Sequence, residues 1–251
     1  MQPSEAELKR IFPGDSEMAQ RMRAFDWSKT AAGPVATWPQ SLRTAISISL
    51  RARYPMFVWW GRQRVNFYND AYIPVLGKRH PAVLGLPGHQ VWEEIWDQLG
   101  AQSEQVLNEG RAVWCDQTLL VMERNGFTEE TYFTYSYSPI SDDDGNTNGL
   151  LCVCSEETQR VLSQRRLQTL RALGEAATAK SPQEACAIAA GLLADYAHDL
   201  PFVLLYLRDS SGQRADLAGT SGLVSGAEAA PAVIELGPHH ASWPLDRVTA
   251  A

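Results

Sequence analysis

Met56-Phe57-Val58-Trp59-Trp60-Gly61-Arg62-Gln63-Arg64-Val65-Asn66-Phe67-Tyr68 has the pattern of a β-hairpin that opens a sheet. Its first five residues are apolar without interruption, as in a strand covered on both faces. Residues 61–64 supply a turn, and Val65-Asn66-Phe67-Tyr68 reads as the hairpin partner. Beyond it, Pro74, Gly77, Pro81, Gly85, Pro87 and Gly88 break the chain into short helical pieces. A better helix is predicted over residues 92–109, with Trp92, Ile95, Trp96, Leu99 and Val106 as its apolar stripe. Three more strands follow, over residues 112–121, 130–139 and 149–154, the last two separated by the turn Asp142-Asp143-Asp144-Gly145. This order lacks the strand–helix alternation of a doubly wound sheet. It predicts an α+β domain on an antiparallel five-stranded sheet, with flanking helices that enclose a pocket against it.

On the N-terminal side of this hairpin, residues 16–25 form a short charged helix. After a Pro/Gly stretch comes a second, over residues 39–50, where Ser41 caps or enters the first turn and Leu42, Ala45, Ile46 and Ser49 recur at helical spacing. On the other side, Ser155 with Glu156 and Glu157 reads as a capping signature for a helix running to about Ala179. Val161, Leu162, Leu167, Leu170 and Leu173 form its apolar stripe, and Leu167, Leu170, Gly174 and Ala177 approximate an a/d seam for about two heptads. Ser181-Pro182 opens another helix over residues 183–198, and residues 202–208 form a strong strand ending in Asp209-Ser210-Ser211-Gly212. The expected organisation is a helical leader over residues 1–50, a sheet domain over 51–156, a connecting helix over 157–180 and a partial α+β domain over 181–251.

The 251 residues are 45% hydrophobic and 20% charged, as in a folded protein, and the length suits two units. A formal net charge of −7 without a Lys/Arg block argues against nucleic acid as a partner. The polar opening MQPSEAELKR carries no apolar region behind it, so no secretory signal is read. The longest apolar candidate is broken by Arg51 and Arg53 and falls short of the roughly 18 residues of a membrane helix, so a cytoplasmic location is expected. Cys115, Cys152, Cys154 and Cys186 form no CxxC pair; Cys152 and Cys154, two apart on a strand, share a face and read as reduced core thiols.

Several pieces together resemble the PAS domain family, and more narrowly the PAS units at the N-termini of bacterial sensor histidine kinases. They are Phe25-Asp26-Trp27-Ser28 with Trp38-Pro39-Gln40-Ser41-Leu42-Arg43, the strand Met56-Phe57-Val58-Trp59-Trp60-Gly61, and Phe67-Tyr68-Asn69-Asp70-Ala71-Tyr72 entering the helical segment. Tyr132-Phe133-Thr134-Tyr135-Ser136-Tyr137-Ser138-Pro139-Ile140 before the acidic turn, and Thr158-Gln159-Arg160 opening the exit helix, complete the match over residues 16–165. Residues from about 170 to 251 resemble the opening of a GAF domain without its later elements. The resemblance implies the sensory input module of a bacterial signal-transduction protein, such as a fragment of a sensor histidine kinase, acting as a homodimer. Leu167, Leu170 and Leu173 are then the candidates on the signalling helix. A PAS-type protein-interaction scaffold without ligand, or a haem- or flavin-binding redox sensor, are the alternatives. No cofactor is required by the sequence. A covalent flavin of this family would need an Asn-Cys-Arg cysteine, which does not follow Asn69-Asp70. Haem would need an axial histidine, and only His80 and His89 lie in the region, both in Pro/Gly-rich loops that suit surface imidazoles.

A pocket for a small molecule would draw on Trp59, Phe67, Asn69, Trp92, Trp96, Trp114, Phe133 and Tyr135; an ordinary packed core is the alternative use of the same aromatics. No catalytic apparatus is expected: neither GxxxxGK[ST] nor GxGxxG occurs, Glu129-Glu130 and the Asp142 turn read as solvated positions, and His239-His240 lacks further metal ligands.

Overall fold

The computed structural model describes residues 4–236 and Trp243. They divide into two compact units, one up to Val161 and one from Leu162.

The first unit opens on α1 (Glu5–Ile11). The Ser4 hydroxyl accepts from the Glu7 N–H while the Glu7 carboxylate accepts from the Ser4 N–H, a reciprocal cap spelled by Ser4-x-x-Glu7. The leader therefore begins one helix earlier than residues 16–25 imply. Ser16 caps α2 (Glu17–Ala24), and α3 (Gln40–Arg51) buries Leu42, Ala45, Ile46, Ser49 and Leu50. Pro39 takes the cap position of α3, and Ser41 lies in its first turn.

The sheet is antiparallel and five-stranded, in the order β2-β1-β5-β4-β3. β1 (Met56–Trp60) lies between β2 (Val65–Tyr68) and β5 (Thr147–Glu156), and its consecutive residues Phe57, Val58, Trp59 and Trp60 are all buried, so both of its faces are covered, as its unbroken apolar run implies. β3 (Val113–Met122) is an edge and β4 (Glu129–Ser141) alternates, with Thr131, Phe133, Tyr135 and Tyr137 buried. Register divides the faces. Phe57 and Trp59 stand opposite Cys152 and Leu150, and Tyr137 and Tyr135 opposite Cys152 and Cys154, so all of these share one face. Val58 stands opposite Phe67 and Leu151 on the other. In β3 a bulge between Cys115 and Thr118, where Gln117 takes φ 42°, resets the alternation so that Leu120 and Met122 are buried.

The short helices α4 (Ile73–Leu76) and α5 (Gly88–Val91), with α6 (Trp96–Glu109), pack on the Tyr137 face; α6 starts later than residue 92 because residues 93–95 form a separate 3-10 turn. The leader packs on the opposite face over β1 and β2, where the Phe67 ring stacks on Trp27 at 4.5 Å and meets Trp38 edge-on at 5.3 Å. β5 approaches β1 so closely at Gly149 that a Cβ there would lie 2.4 Å from the Trp60 ring. β5 extends to Glu156 and α7 (Thr158–Leu173) starts at Thr158, so Ser155 is a strand residue and not the expected cap.

The second unit takes over α7 from Leu162. α7 passes into a 3-10 segment, Gly174–Thr178, and α8 (Pro182–Ala194), capped by Ser181, packs on a three-stranded antiparallel sheet. The order there is β6-β7-β8, with β6 (Val203–Arg208), β7 (Arg214–Ser221) and β8 (Val233–Glu235). At Gly219 a Cβ would lie 2.4 Å from the Cys186 carbonyl oxygen, so helix and strand meet through a residue without a side chain. Among the described residues no helix is long and apolar enough to cross a membrane.

Candidate functional site

The aromatic face of the first sheet and the helical segment close over a cavity of about 30 Å³, lined by Phe57, Tyr72, Val75, Trp92, Ile95, Leu99, Leu120, Met122, Phe133, Tyr135, Tyr137, Cys152 and Cys154. Every one of these side chains is buried. Of the sequence candidates, Trp92, Phe133 and Tyr135 line the cavity. Ligand sites for drug-sized molecules are ~300–1,000 Å³, so neither a flavin nor a haem fits the space these residues leave.

The remaining candidates do other things. Trp59 faces the cavity side but is consumed by packing: its ring lies 4.7 Å from Phe57 and 5.5 Å from Trp96, and its indole N–H donates to Asn66. Trp96 is half-buried beneath the Arg64 guanidinium. Phe67 is on the leader face, because it stands opposite Val58 and not Trp59. Asn69 is a structural bracket: its side-chain oxygen accepts from the Met56 and Tyr72 N–H groups, and its amide donates to the Ser49, Ala52 and Tyr54 carbonyls. Trp114 sits one residue out of phase with Cys115 on edge strand β3 and is 68% exposed. Trp114→Ser is accordingly expected to change unfolding free energy by less than about 0.5 kcal/mol. A loss above about 2 kcal/mol in urea unfolding would instead place its ring in the core.

Tyr137, Phe57 and Cys152 were legible as cavity residues only through register: extending the alternation of Phe133 and Tyr135 by one step reaches Tyr137. Tyr72 closes the 3-10 turn after β2, where neither strand alternation nor a helical stripe marks it. The wall is chemically neutral. Burial pushes the Tyr72 and Tyr137 phenols up; burial and then the neighbouring Cys115 do the same for Tyr135, whose hydroxyl donates to Gln102 Oε1 at 2.7 Å. Burial, and then the neighbouring free Cys154 thiol, raises the Cys152 thiol.

A chain of charged contacts runs from the cavity wall to the start of α7. The Arg79 guanidinium lies 4.7 Å over the Trp92 ring and binds the Val91 carbonyl and the Glu94 carboxylate. Glu94 accepts from the Glu123 N–H at 3.2 Å, and the Lys78 N–H donates to the Arg124 carbonyl at 3.0 Å, which joins the helical segment to the β3–β4 turn. Arg124, with a side chain only 9% exposed, binds Glu156 through two bonds of 2.8 Å and reaches Glu129 at 3.3 Å. Thr158 closes the arrangement, donating to Glu156 and accepting from the Tyr132 N–H, both at 3.0 Å. Glu129 is thus a member of a half-buried ion cluster and not the solvated strand end expected. At Glu156 burial acts to raise the carboxyl, but the Arg124 hydrogen bonds and charge, with the Thr158 bond, outweigh it and hold the group below the usual carboxylate range.

His80 also departs from the surface position expected. Its Nδ1 lies 2.9 Å from the Tyr68 hydroxyl and its Nε2 2.8 Å from Glu17, tying α2 to the helical segment. His89 is exposed, 6.0 Å from the Trp96 ring. His239 and His240 lie outside the described residues. On α7, Leu167 and Leu170 are 48% and 65% exposed, and Leu173 is half-buried.

The first unit has the PAS-type architecture: a five-stranded antiparallel sheet in the order β2-β1-β5-β4-β3, with its short helices inserted between β2 and β3. No family model and no curated protein matches this sequence. Solved structures similar to the chain include an RNA-binding light-oxygen-voltage receptor, 20% identical over 56% of this chain, with a TM-score of 0.39. A sensory box sensor histidine kinase from Vibrio cholerae is 13% identical, with 43% of this chain and 85% of that one covered and a TM-score of 0.33. A light-oxygen-voltage protein of Rhodobacter sphaeroides is 14% identical, with 62% and 80% covered and a TM-score of 0.40. The chain spans 40% of the length of the first of these.

Proposed function

We propose that this chain is a non-enzymatic, cytoplasmic input module of a signal-transduction protein, such as a sensor histidine kinase. The PAS-type unit responds to a small ligand, and α7 carries the response, as a paired helix in a homodimer, into a GAF-like second unit. The observation that carries this reading is the Arg124 clasp. A change at Trp92 reaches Arg79 by direct stacking, and the β3–β4 turn joins the segment bearing Arg79 to Glu156 and Thr158, where α7 begins. A ligand that binds one arrangement of this cluster better than another would bias α7, which is all that signalling requires. The exposed Leu167 and Leu170 give α7 an apolar face for a second protomer.

A second reading, a protein-interaction scaffold without ligand, is favoured by the small size of the cavity and by the exposed Trp114, Leu119 and Val121 on β3. Native mass spectrometry and amide hydrogen exchange separate the two, since retained small-molecule mass supports sensing and a bare dimer whose α7 exchange does not respond to small apolar molecules supports the scaffold. Leu170→Glu is expected to shift the dimer toward monomer, because it puts a charge in the seam. An unchanged sedimentation profile overturns the role given to α7.

A further inference from the structure

We infer that the cavity under Trp92 is a dry binding site for a small, uncharged, apolar molecule of the dioxygen or xenon size class, held by side chains alone. The inference rests on the sensory reading above and names the chemistry of its ligand.

One water-sized molecule needs about 10–15 Å³ of such space, and the cavity offers about 30 Å³. It therefore takes roughly two heavy atoms without rearrangement.

Polarity decides what those atoms are. A buried water needs 2–4 hydrogen-bonding partners, and the wall is built almost wholly of carbon and sulfur. The Tyr135 hydroxyl is spent on Gln102, which leaves the Tyr72 and Tyr137 hydroxyls as the wall's remaining oxygens. An ion placed here would lose its hydration without replacement, and a water would recover at most the bonds of two phenols. An apolar guest loses nothing, and the wall regains the dispersion contacts that an empty void forfeits.

The wall is also suited to admit a guest. Met122 and Cys152 are adaptable, polarisable side chains, and Leu99 and Val75 come from helices that pack only on this face. Trp92, the wall residue under Arg79, would register an occupied cavity in the ion cluster that leads to α7.

The test is xenon-pressurised crystallography of the full chain, with Val75→Ile and Val75→Ala as conservative variants. A single xenon peak between Trp92, Leu120 and Tyr137 is expected. Its occupancy should fall several-fold in Val75→Ile, which adds one methylene to the wall, and rise in Val75→Ala. Absence of xenon there in the wild type, or an ordered water in its place, overturns the site. Amide hydrogen exchange over α7, with and without xenon, is read separately. Xenon bound with exchange unchanged leaves the site standing and removes its link to signalling.

Discussion

Arg124→Ala is expected to lower the stability of the first unit by about 3 kcal/mol at neutral pH, because it strands two carboxylates that the guanidinium now neutralises. Glu156 and Glu129 are only 31% and 15% exposed and lose their cation together, so water replaces it poorly. The pH dependence gives the expectation its sign. In the wild type the Glu156 carboxyl is held below its ordinary value of 4.5, so its contribution is full above that value and fades as the pH falls through the lowered one. In the variant the lowering partner is gone while burial remains, so Glu156 is favoured neutral and the penalty disappears on acidification. The gap between the two proteins should therefore be widest at neutral pH and close below the carboxylate range. Urea unfolding at a series of pH values measures it. A gap under about 1 kcal/mol, the range of exposed pairs, or one that persists unchanged into acid, would show the cluster to be solvated. Faster amide exchange in the first turn of α7 should accompany the loss, since Thr158 is held there by Glu156.

The sequence carried the sheet well and the site less well, for separable reasons. β1 and β2 were read to the residue because burial on both faces leaves an apolar run with no competing pattern, and a glycine turn fixes its end. Trp92, Phe133 and Tyr135 were found because a helical stripe and a strand alternation each point to one side. Phe67 and Trp114 were misassigned by register. Which face Phe67 takes depends on its pairing with Val58, and Trp114 lies one step out of phase with Cys115, ahead of a bulge at Gln117 that no composition announces. The clasp was invisible for another reason: Arg124 and Glu156 are 32 positions apart, and nothing local marks either as paired. β7 escaped because Arg214-Ala215-Asp216-Leu217-Ala218-Gly219-Thr220-Ser221 mixes charged and small residues with a single large apolar one; the close approach of α8 requires the glycine at 219, which strand propensity does not reward.

The misassignment of Phe67 gives a second large effect. Phe67→Ala is expected to cost about 3–5 kcal/mol, the range for deleting a fully buried aromatic ring, and the loss should appear first in the leader. The ring is 1% exposed and joins the sheet to the Trp27 and Trp38 rings, which also meet each other at 5.4 Å and Phe12 at 6.4 and 5.9 Å. Removing it takes the one sheet residue out of an aromatic cluster otherwise built from the leader. Docking of α1–α3 would then rest on α3, on the Asn69 bracket, on the Met18 N–H bond to Asp70 and on the Glu17–His80 contact. Limited proteolysis near Gly33 and tryptophan fluorescence should both report an opened leader before the sheet unfolds. If Phe67 instead lined the cavity under Trp92, the same substitution would enlarge that space, raise xenon occupancy there and leave the leader protected. The two outcomes fall on opposite faces of the sheet, so one variant decides which face the ring belongs to.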